Sequence, residues 1–371
     1  MTTKELKKTI FKILTHLAPL YAYKKFWNRN GAFDYPKRIS HKEESNFPLI
    51  GIVEEQRNFH YFYIAACEEM NVPYILIDLT KSNWIDILNQ SGCKGILVWP
   101  SASSTVIKNM FDERIKVINE DLGFTIFPSY NEMWVWESKR RMHYWFEANK
   151  IKHPQGWVFY DYNEAKTFLE QTSYPLVFKT NHGDSSLGVK ILRRKTQAVE
   201  ILKKCFGPGV NMGSGFAKDL EWGSIFFQKF IENPLEWRII RIGDSYFGYQ
   251  KVRRGDFASG SGDAVFTDIP LHILNYVRDI TDQHNLKSIS FDVLIDNDGN
   301  FYMIEIQSLF GDTKAKRKLL IDGQPGRYKY NYAEEKWFFE EGIFDQNNCS
   351  NLRVAYLLEQ INKKQTQNAR N

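Results

Sequence analysis

Residues 290–296 and 301–307 flank Asp298-Gly299, and side chains of two kinds alternate along both runs. Asp-Gly between strand-like runs predicts a hairpin closed by a two-residue turn. With that turn setting the register, Asp292 lies directly opposite Glu305. Successive side chains of a strand point to opposite faces, so Phe291, Val293, Ile295, Tyr302, Ile304 and Ile306 are expected to form one apolar face. Asp292, Glu305 and Gln307 then share the other. Two carboxylates held roughly 5 Å apart across a strand pair repel each other. A divalent cation reverses the sign of that interaction, and three oxygen donors on one rigid face suit Mg2+ (or Mn2+) carried by nucleotide phosphates. The hairpin therefore reads as a metal–nucleotide site.

At 371 residues the chain can build two or three domains with sizeable cores. It is 43% apolar and 25% charged, without an apolar run of membrane-spanning length, which is the balance of a soluble globular protein. Cys67, Cys93, Cys205 and Cys349 are scattered without metal-type spacing. With no cleavable signal sequence visible, they read as reduced, structural thiols of a cytoplasmic protein. The net charge of +5 is concentrated: residues 1–45 carry ten Lys/Arg against four Asp/Glu, and the remainder is close to neutral. Within that arm Leu6, Ile10, Ile13, Leu14 and Leu17 recur at helical spacing, with Lys4, Lys7, Lys8 and Lys12 on the other side. Such a helix either docks its apolar stripe on the body of the protein or lies on an anionic membrane surface. No nucleic-acid-binding motif accompanies it, so nucleic acid is not an expected partner.

Strand and helix patterns alternate from residue 47 to 127: strands at 48–53, 74–78, 95–99 and 124–127, helices at 59–70 and 105–121. That order predicts a small Rossmann-like parallel α/β domain, without the G-x-G-x-x-G of a dinucleotide site. From residue 130 the pattern changes. Ser138 is placed to cap a helix that ends at His153-Pro154. Strands follow at 157–160, 176–180, 189–193 and 224–230, then a hairpin of 237–242 and 246–251 turning at Gly243-Asp244. Helices are predicted at 163–171 and 271–284. The glycine-rich run 207–215 reads as a mobile loop. The expected division is a basic arm (1–45), the Rossmann-like unit (46–129), an α+β unit (130–345) and a C-terminal helix or tail (346–371).

Five separated elements, in order, resemble the ATP-grasp superfamily, in which two α+β subdomains clasp ATP, here preceded by the small α/β domain. They are Lys139 at a helix start; Lys179 closing the strand Pro175-Leu176-Val177-Phe178-Lys179; the loop Gly183-Asp184-Ser185-Ser186-Leu187-Gly188; the strand Gln228-Lys229-Phe230-Ile231 followed by Glu236-Trp237-Arg238; and Asp292 with Glu305-Ile306-Gln307. The resemblance implies that Lys139, Lys179, Gly183, Ser185, Ser186 and Gly188 contact the phosphates of ATP. It implies that Gln228, Lys229, Phe230 and Ile231 meet adenine, that Glu236 (or Glu232) meets the ribose, and that Asp292, Glu305 and Gln307 hold Mg2+. Gln228 and Gln307 stand where the family often has Glu and Asn. Lys251, Arg253 and Arg254 match a basic segment that contacts the transferred phosphate in peptide-tailing ligases, although Ala258 and Gly260 depart from that motif. Arg238 matches an arginine that orients a substrate carboxylate. His182 has no role in this family and is left unassigned.

The implied activity is an ATP-dependent carboxylate–amine ligase working through an acyl phosphate, with ATP, a carboxylate and an amine as partners. Analogues of this kind act on amino acids, peptides or surface-glycan uronic acids, and a basic arm fits a membrane-proximal glycan. Two other readings stay open. One is a phosphotransferase acting on a hydroxyl. The other is a nucleotide-binding regulatory or scaffold protein without turnover, to which the changes at Gln307 and Ala258 point.

Overall fold

The computed structural model describes residues 45–368 apart from 56–58, 103, 184–187, 213–215, 217, 254–263, 311–319 and 322–323, together with residues 6, 9, 10, 13, 17, 39 and 40. The N-terminal unit is a five-stranded sheet in the order β1 (Ile39–Ser40), β3 (Tyr74–Ile77), β2 (Ile50–Val53), β4 (Gly95–Leu97) and β5 (Thr125–Phe127). Strands β2 to β5 pair in parallel and β1 is antiparallel to β3. Helices α1 (Tyr61–Glu69), α2 (Trp84–Gln90) and α3 (Thr105–Lys116) supply the crossovers, as a parallel sheet requires. Ser104 caps α3 by accepting from Ile107 N. The chain's last helix, α9 (Gln346–Asn368), returns to this unit and buries Val354, Leu357, Leu358 and Ile361 in its core.

Two antiparallel sheets follow. After α4 (Tyr130–Val135) and α5 (Lys139–Ala148), the smaller sheet runs β6 (Gly156–Phe159), β11 (Ile225–Lys229), β7 (Leu176–Lys179), β8 (Val189–Leu192). One of its faces packs Phe159, Leu176, Phe178, Ile225 and Phe227 against α6 (Tyr162–Gln171) and α7 (Lys195–Cys205). Alternation then turns Val177, Lys179, Phe226 and Gln228 to the opposite face.

The larger sheet runs β16 (Phe301–Gln307), β15 (Ser288–Ile295), β12 (Leu235–Ile242), β13 (Ser245–Lys251), β18 (Gln324–Asn331), with β14 (Ala264–Val265), β17 (Leu320–Ile321) and β19 (Lys336–Glu341) at its margins. Trp237, Ile239, Phe291, Val293, Met303 and Ile306 on one face bury against α8 (Leu271–Gln283) and α5. The side chains at 236, 238, 292, 305 and 307 are left on the other. Strands β9 (Val210–Asn211) and β10 (Leu220–Glu221) form a small ribbon, so the glycine-rich run expected to be a mobile loop is in part a paired strand.

The hairpin β15–β16 pairs Asp292 with Glu305 and Phe291 with Ile306, as its alternation predicts, but by a different route. The turn holds three residues, not two: Asp296 N donates to Asn300 O at 2.9 Å, and Gly299 adopts φ 81°. Such loops commonly close through a residue in the left-handed region. Val293 therefore pairs with Met303, and a bulge at Ile304 restores the register before Glu305. Phe301 and Met303 belong to the apolar core, in place of the expected Tyr302 and Ile304.

Helix α5 also stops earlier than Pro154 suggests. It ends at Ala148, where Lys150 takes φ 54° and Ile151 N returns to Phe146 O. Of the N-terminal arm, Leu6, Ile10, Ile13 and Leu17 are helical and exposed, while Leu14 and the four lysines lie outside the described residues. No helix among the described residues is long and apolar enough to cross a membrane.

Candidate functional site

Among the described residues, the polar face of the larger sheet carries an ion cluster of Glu236, Arg238, Lys251 and Asp292. Arg238 on β12 stands directly beside Asp292 on β15, and Glu236 directly beside Lys251 on β13. The Arg238 fork donates from Nε to Asp292 Oδ1 at 2.7 Å and from Nη2 to Oδ2 at 2.9 Å. Lys251 Nζ donates to Asp292 Oδ2 at 2.5 Å and to Glu236 Oε1 at 2.6 Å. Asp292 is 1% exposed, and burial alone pushes its carboxyl up. The Arg238 guanidinium and the Lys251 ammonium overcome that and hold it well below the usual carboxylate range. Burial works against Arg238 and Lys251 as well, but Asp292, joined by Tyr249 and Glu305 at Arg238 and by Glu236 at Lys251, leaves both raised.

Glu305 lies half-buried opposite Asp292 and accepts from Gln307 Nε2 at 2.7 Å. Two carboxylates and an amide oxygen on one sheet face are a donor set suited to a hard divalent cation. Gln307 at present offers its NH2, so its amide must turn to present oxygen, and Asp292 must share its oxygens with two cations. The residues fit Mg2+ on these terms.

The smaller sheet brings its own charges to this face. Lys179 is near enough to Glu305, Glu236, Asp292 and Lys139 for their charges to act on it. Burial lowers its ammonium to about 8, with Lys139 adding to the effect and Glu305 opposing it. Lys139, 8% exposed, donates from Nζ to Gly183 O at 2.5 Å, so the helix start and the glycine loop meet. The loop closes where Thr180 N donates to Gly188 O at 2.9 Å. Gly188 has φ 77°, and a Cβ there would stand 1.9 Å from Thr180 Oγ1, so only glycine fits. Ser185 and Ser186, within 184–187, lie outside the described residues, as does Arg254.

Gln228 is buried on β11 and donates from Nε2 to Pro154 O at 3.4 Å; Lys229 N donates to Gln155 O at 2.8 Å. Phe230 and Ile231 follow, half-buried, just beyond the strand, with Glu232 exposed. Arg253 Nη1 donates to Asn233 Oδ1 at 3.4 Å. His182 is held structurally, with Nδ1 2.7 Å from Glu137 O and Nε2 2.9 Å from Asn181 Nδ2.

Beneath the loop lies a buried brace that the motifs do not announce. Glu221 on β10, 1% exposed, takes a charge-assisted bond from Arg140 Nη1 and accepts from Asn181 N at 2.7 Å. Asn181 Oδ1 accepts from Arg140 N at 3.0 Å, the cap that Ser138 was expected to provide. The signal lies in contacts between distant segments, and Glu221 has no motif of its own.

Residues 137–324 match the RimK-like ATP-grasp domain family, about half of the chain. No curated protein matches. Among solved structures, D-alanine–D-alanine ligase from Bacillus anthracis complexed with ATP is similar at a TM-score of 0.54 and 14% identity, over 85% of this chain and 99% of that one. The biotin carboxylase domain of 2-oxoglutarate carboxylase from Hydrogenobacter thermophilus gives 0.53 and 15%, over 73% of this chain. This chain spans 66% of that domain, just under two thirds. N5-carboxyaminoimidazole synthetase from Staphylococcus aureus complexed with ADP gives 0.53 and 12%, over 75% and 74% of the two chains. At these identities the likeness is one of fold. The family match over half of its length makes this chain a member of the RimK-like ATP-grasp family.

Proposed function

We propose that the protein is an ADP-forming carboxylate–amine ligase that uses Mg-ATP. The observation that carries this reading is the direct pairing of Asp292 with Glu305 on a face also furnished with Arg238, Lys251 and, from the opposite sheet, Lys179. ATP-grasp enzymes use ATP and Mg2+, and the donor set here is of the right chemistry. Asp292, Glu305 and the Gln307 amide oxygen would hold the metal, whose charge would offset that developing on the transferred phosphoryl group. Lys139, Lys179 and the 183–188 loop would hold the phosphates, and Gln228 to Ile231 with Glu236 the nucleoside. Most of the rate would come from fixed position and fixed charge, which is why no nucleophilic cysteine or serine is required. All four cysteines are buried and none is in a disulfide.

Transfer of the γ-phosphoryl group to a substrate carboxylate forms an O–P bond, breaks the bond to ADP, and gives an acyl phosphate. An amine then attacks the acyl carbon, phosphate leaves, and an amide remains. Lys251 and Arg238, already paired with a carboxylate, have the chemistry to receive a second anion if Asp292 turns to the metal. The substrate class is an amino acid, a peptide or a glycan uronic acid joined to an amine. The test is ADP release across carboxylates with hydroxylamine as the amine. A ligase yields a hydroxamate, a phosphotransferase yields ADP without one, and AMP with pyrophosphate would overturn the chemistry.

A further inference from the structure

We propose that His143, Glu147 and His153 form a binding site for a single transition-metal ion of the Zn2+ class, separate from the carboxylate face, that fastens the end of α5 to the loop leading into β6. His143 and Glu147 stand one turn apart on the same side of α5, where residues four apart are neighbours. The left-handed turn at Lys150 brings His153 back against them. One ligand atom from each of the three lies within 4.8 Å of the other two.

The hydrogen bonds around His153 argue for a cation. Its Nδ1 is 2.7 Å from Ile151 O, a carbonyl that only accepts, so Nδ1 carries the hydrogen. In a neutral ring Nε2 is then a bare lone pair, yet it faces Glu147 Oε1 at 3.1 Å. Two acceptors at that distance need a positive centre between them. A carbonyl holding the distal N–H is also the usual support of a metal-bound histidine. The 3.1 Å between these two ligand atoms suits one, since bonds of ~2.0–2.1 Å to a tetrahedral ion set neighbouring ligand atoms about 3.3 Å apart.

His143 is short of a partner as well. Its Nδ1 is buried without a hydrogen-bond partner, and it is 7% exposed. Burial lowers its basicity, although the Glu147 carboxylate acts the other way. Metal ligation requires the neutral ring that this environment favours. The ring is held in place by Phe226, at 5.1 Å between centroids, and by Gly156, where a Cβ would stand 2.9 Å from Nδ1. Glu147 is exposed, so an ion can enter from solvent and keep a water in its fourth position. Two imidazoles and one carboxylate select borderline ions such as Zn2+ over Mg2+.

The site is tested on the full chain, without an affinity tag and stripped with a chelator, by calorimetric titration with zinc chloride under saturating Mg2+. One Zn2+ should bind at micromolar Kd or tighter and raise Tm. His153→Gln and Glu147→Gln should weaken it at least tenfold, while Glu305→Gln should not. Glu147 is exposed, so its variant keeps the fold if His153→Gln does not. Co2+ in place of Zn2+ should give the visible absorption of a four-coordinate ion, lost in the same variants. No uptake by the native chain, or equal uptake by Glu147→Gln, overturns the proposal, whatever becomes of the ligase reading.

Discussion

Arg238 holds both carboxylate oxygens of Asp292, and Lys251 holds one of them a second time. The aspartate proposed to bind the metal is thus also the anchor of two half-buried cations. Such a group answers to stability and to chemistry together, whereas its partner across the strand pair, Glu305, is half-buried and bonded to Gln307.

Substitution should separate those duties. Asp292→Ala takes the carboxylate from Arg238 and one carboxylate from Lys251, which keeps Glu236, and is expected to cost about 3 kcal/mol of stability. Glu305→Gln should cost less than about 1 kcal/mol. Both should lower substrate-dependent ADP release by at least about 100-fold, the scale of losing one fixed charge at a transition state. Urea denaturation beside an ADP-release assay reads the two effects.

Lys179 supplies a pH signature. Its ammonium sits at about 8 in the free protein, because burial favours the neutral amine. Phosphate binds the charged form, so affinity weakens as the proton leaves. The Kd for Mg-ATP should be flat below pH 8 and rise by up to about tenfold per unit above it. Lys179→Arg should abolish the rise, since a guanidinium stays charged. Titration of Kd against pH for both proteins is the check.

Gly188→Ala meets Thr180 Oγ1 at 1.9 Å and a φ of 77°. The loop base must shift, at a cost above about 1 kcal/mol. Thermal unfolding should show a lower Tm, and ATP affinity should fall more than Tm alone implies.

Glu221→Ala removes the carboxylate shared by Arg140 Nη1 and Asn181 N. A stability loss of about 3 kcal/mol is expected, with a raised KM for ATP because the brace underlies the glycine loop. Recovery of KM, though not of full stability, in Glu221→Gln would identify the hydrogen bonds as what orders the loop.

Local chemistry made much of this site legible in the amino-acid order. Strand alternation put Asp292, Glu305 and Gln307 on one face because that face is polar and its reverse is core. The hairpin was legible only because two departures offset one another. An extra turn residue moved Val293 onto Met303, and the bulge at Ile304 moved Asp292 back onto Glu305. Bulges leave little trace in side-chain type, so Tyr302 and Ile304 were expected where Phe301 and Met303 lie. The partner of Arg238 was hidden for another reason. It depends on β12 lying between β13 and β15, a neighbour relation over more than fifty positions. Helices α2 and α7 and the strands β18 and β19 were not expected either, their patterns being short or interrupted by aromatic and basic residues.

The return of α9 to the first sheet governs how this protein must be made. Leu357 and Ile361 close the core begun by β4, with Ile361 Cδ1 only 2.8 Å from where a Cβ on Gly95 would be. Domains emerging from a ribosome generally fold as they appear. Here the parallel sheet lacks part of its interior until Val354 to Ile361 are synthesised. Nascent chains stalled before residue 350 should therefore remain protease-sensitive in the parallel sheet, and a stop codon ahead of Val354 should injure a unit made long before it.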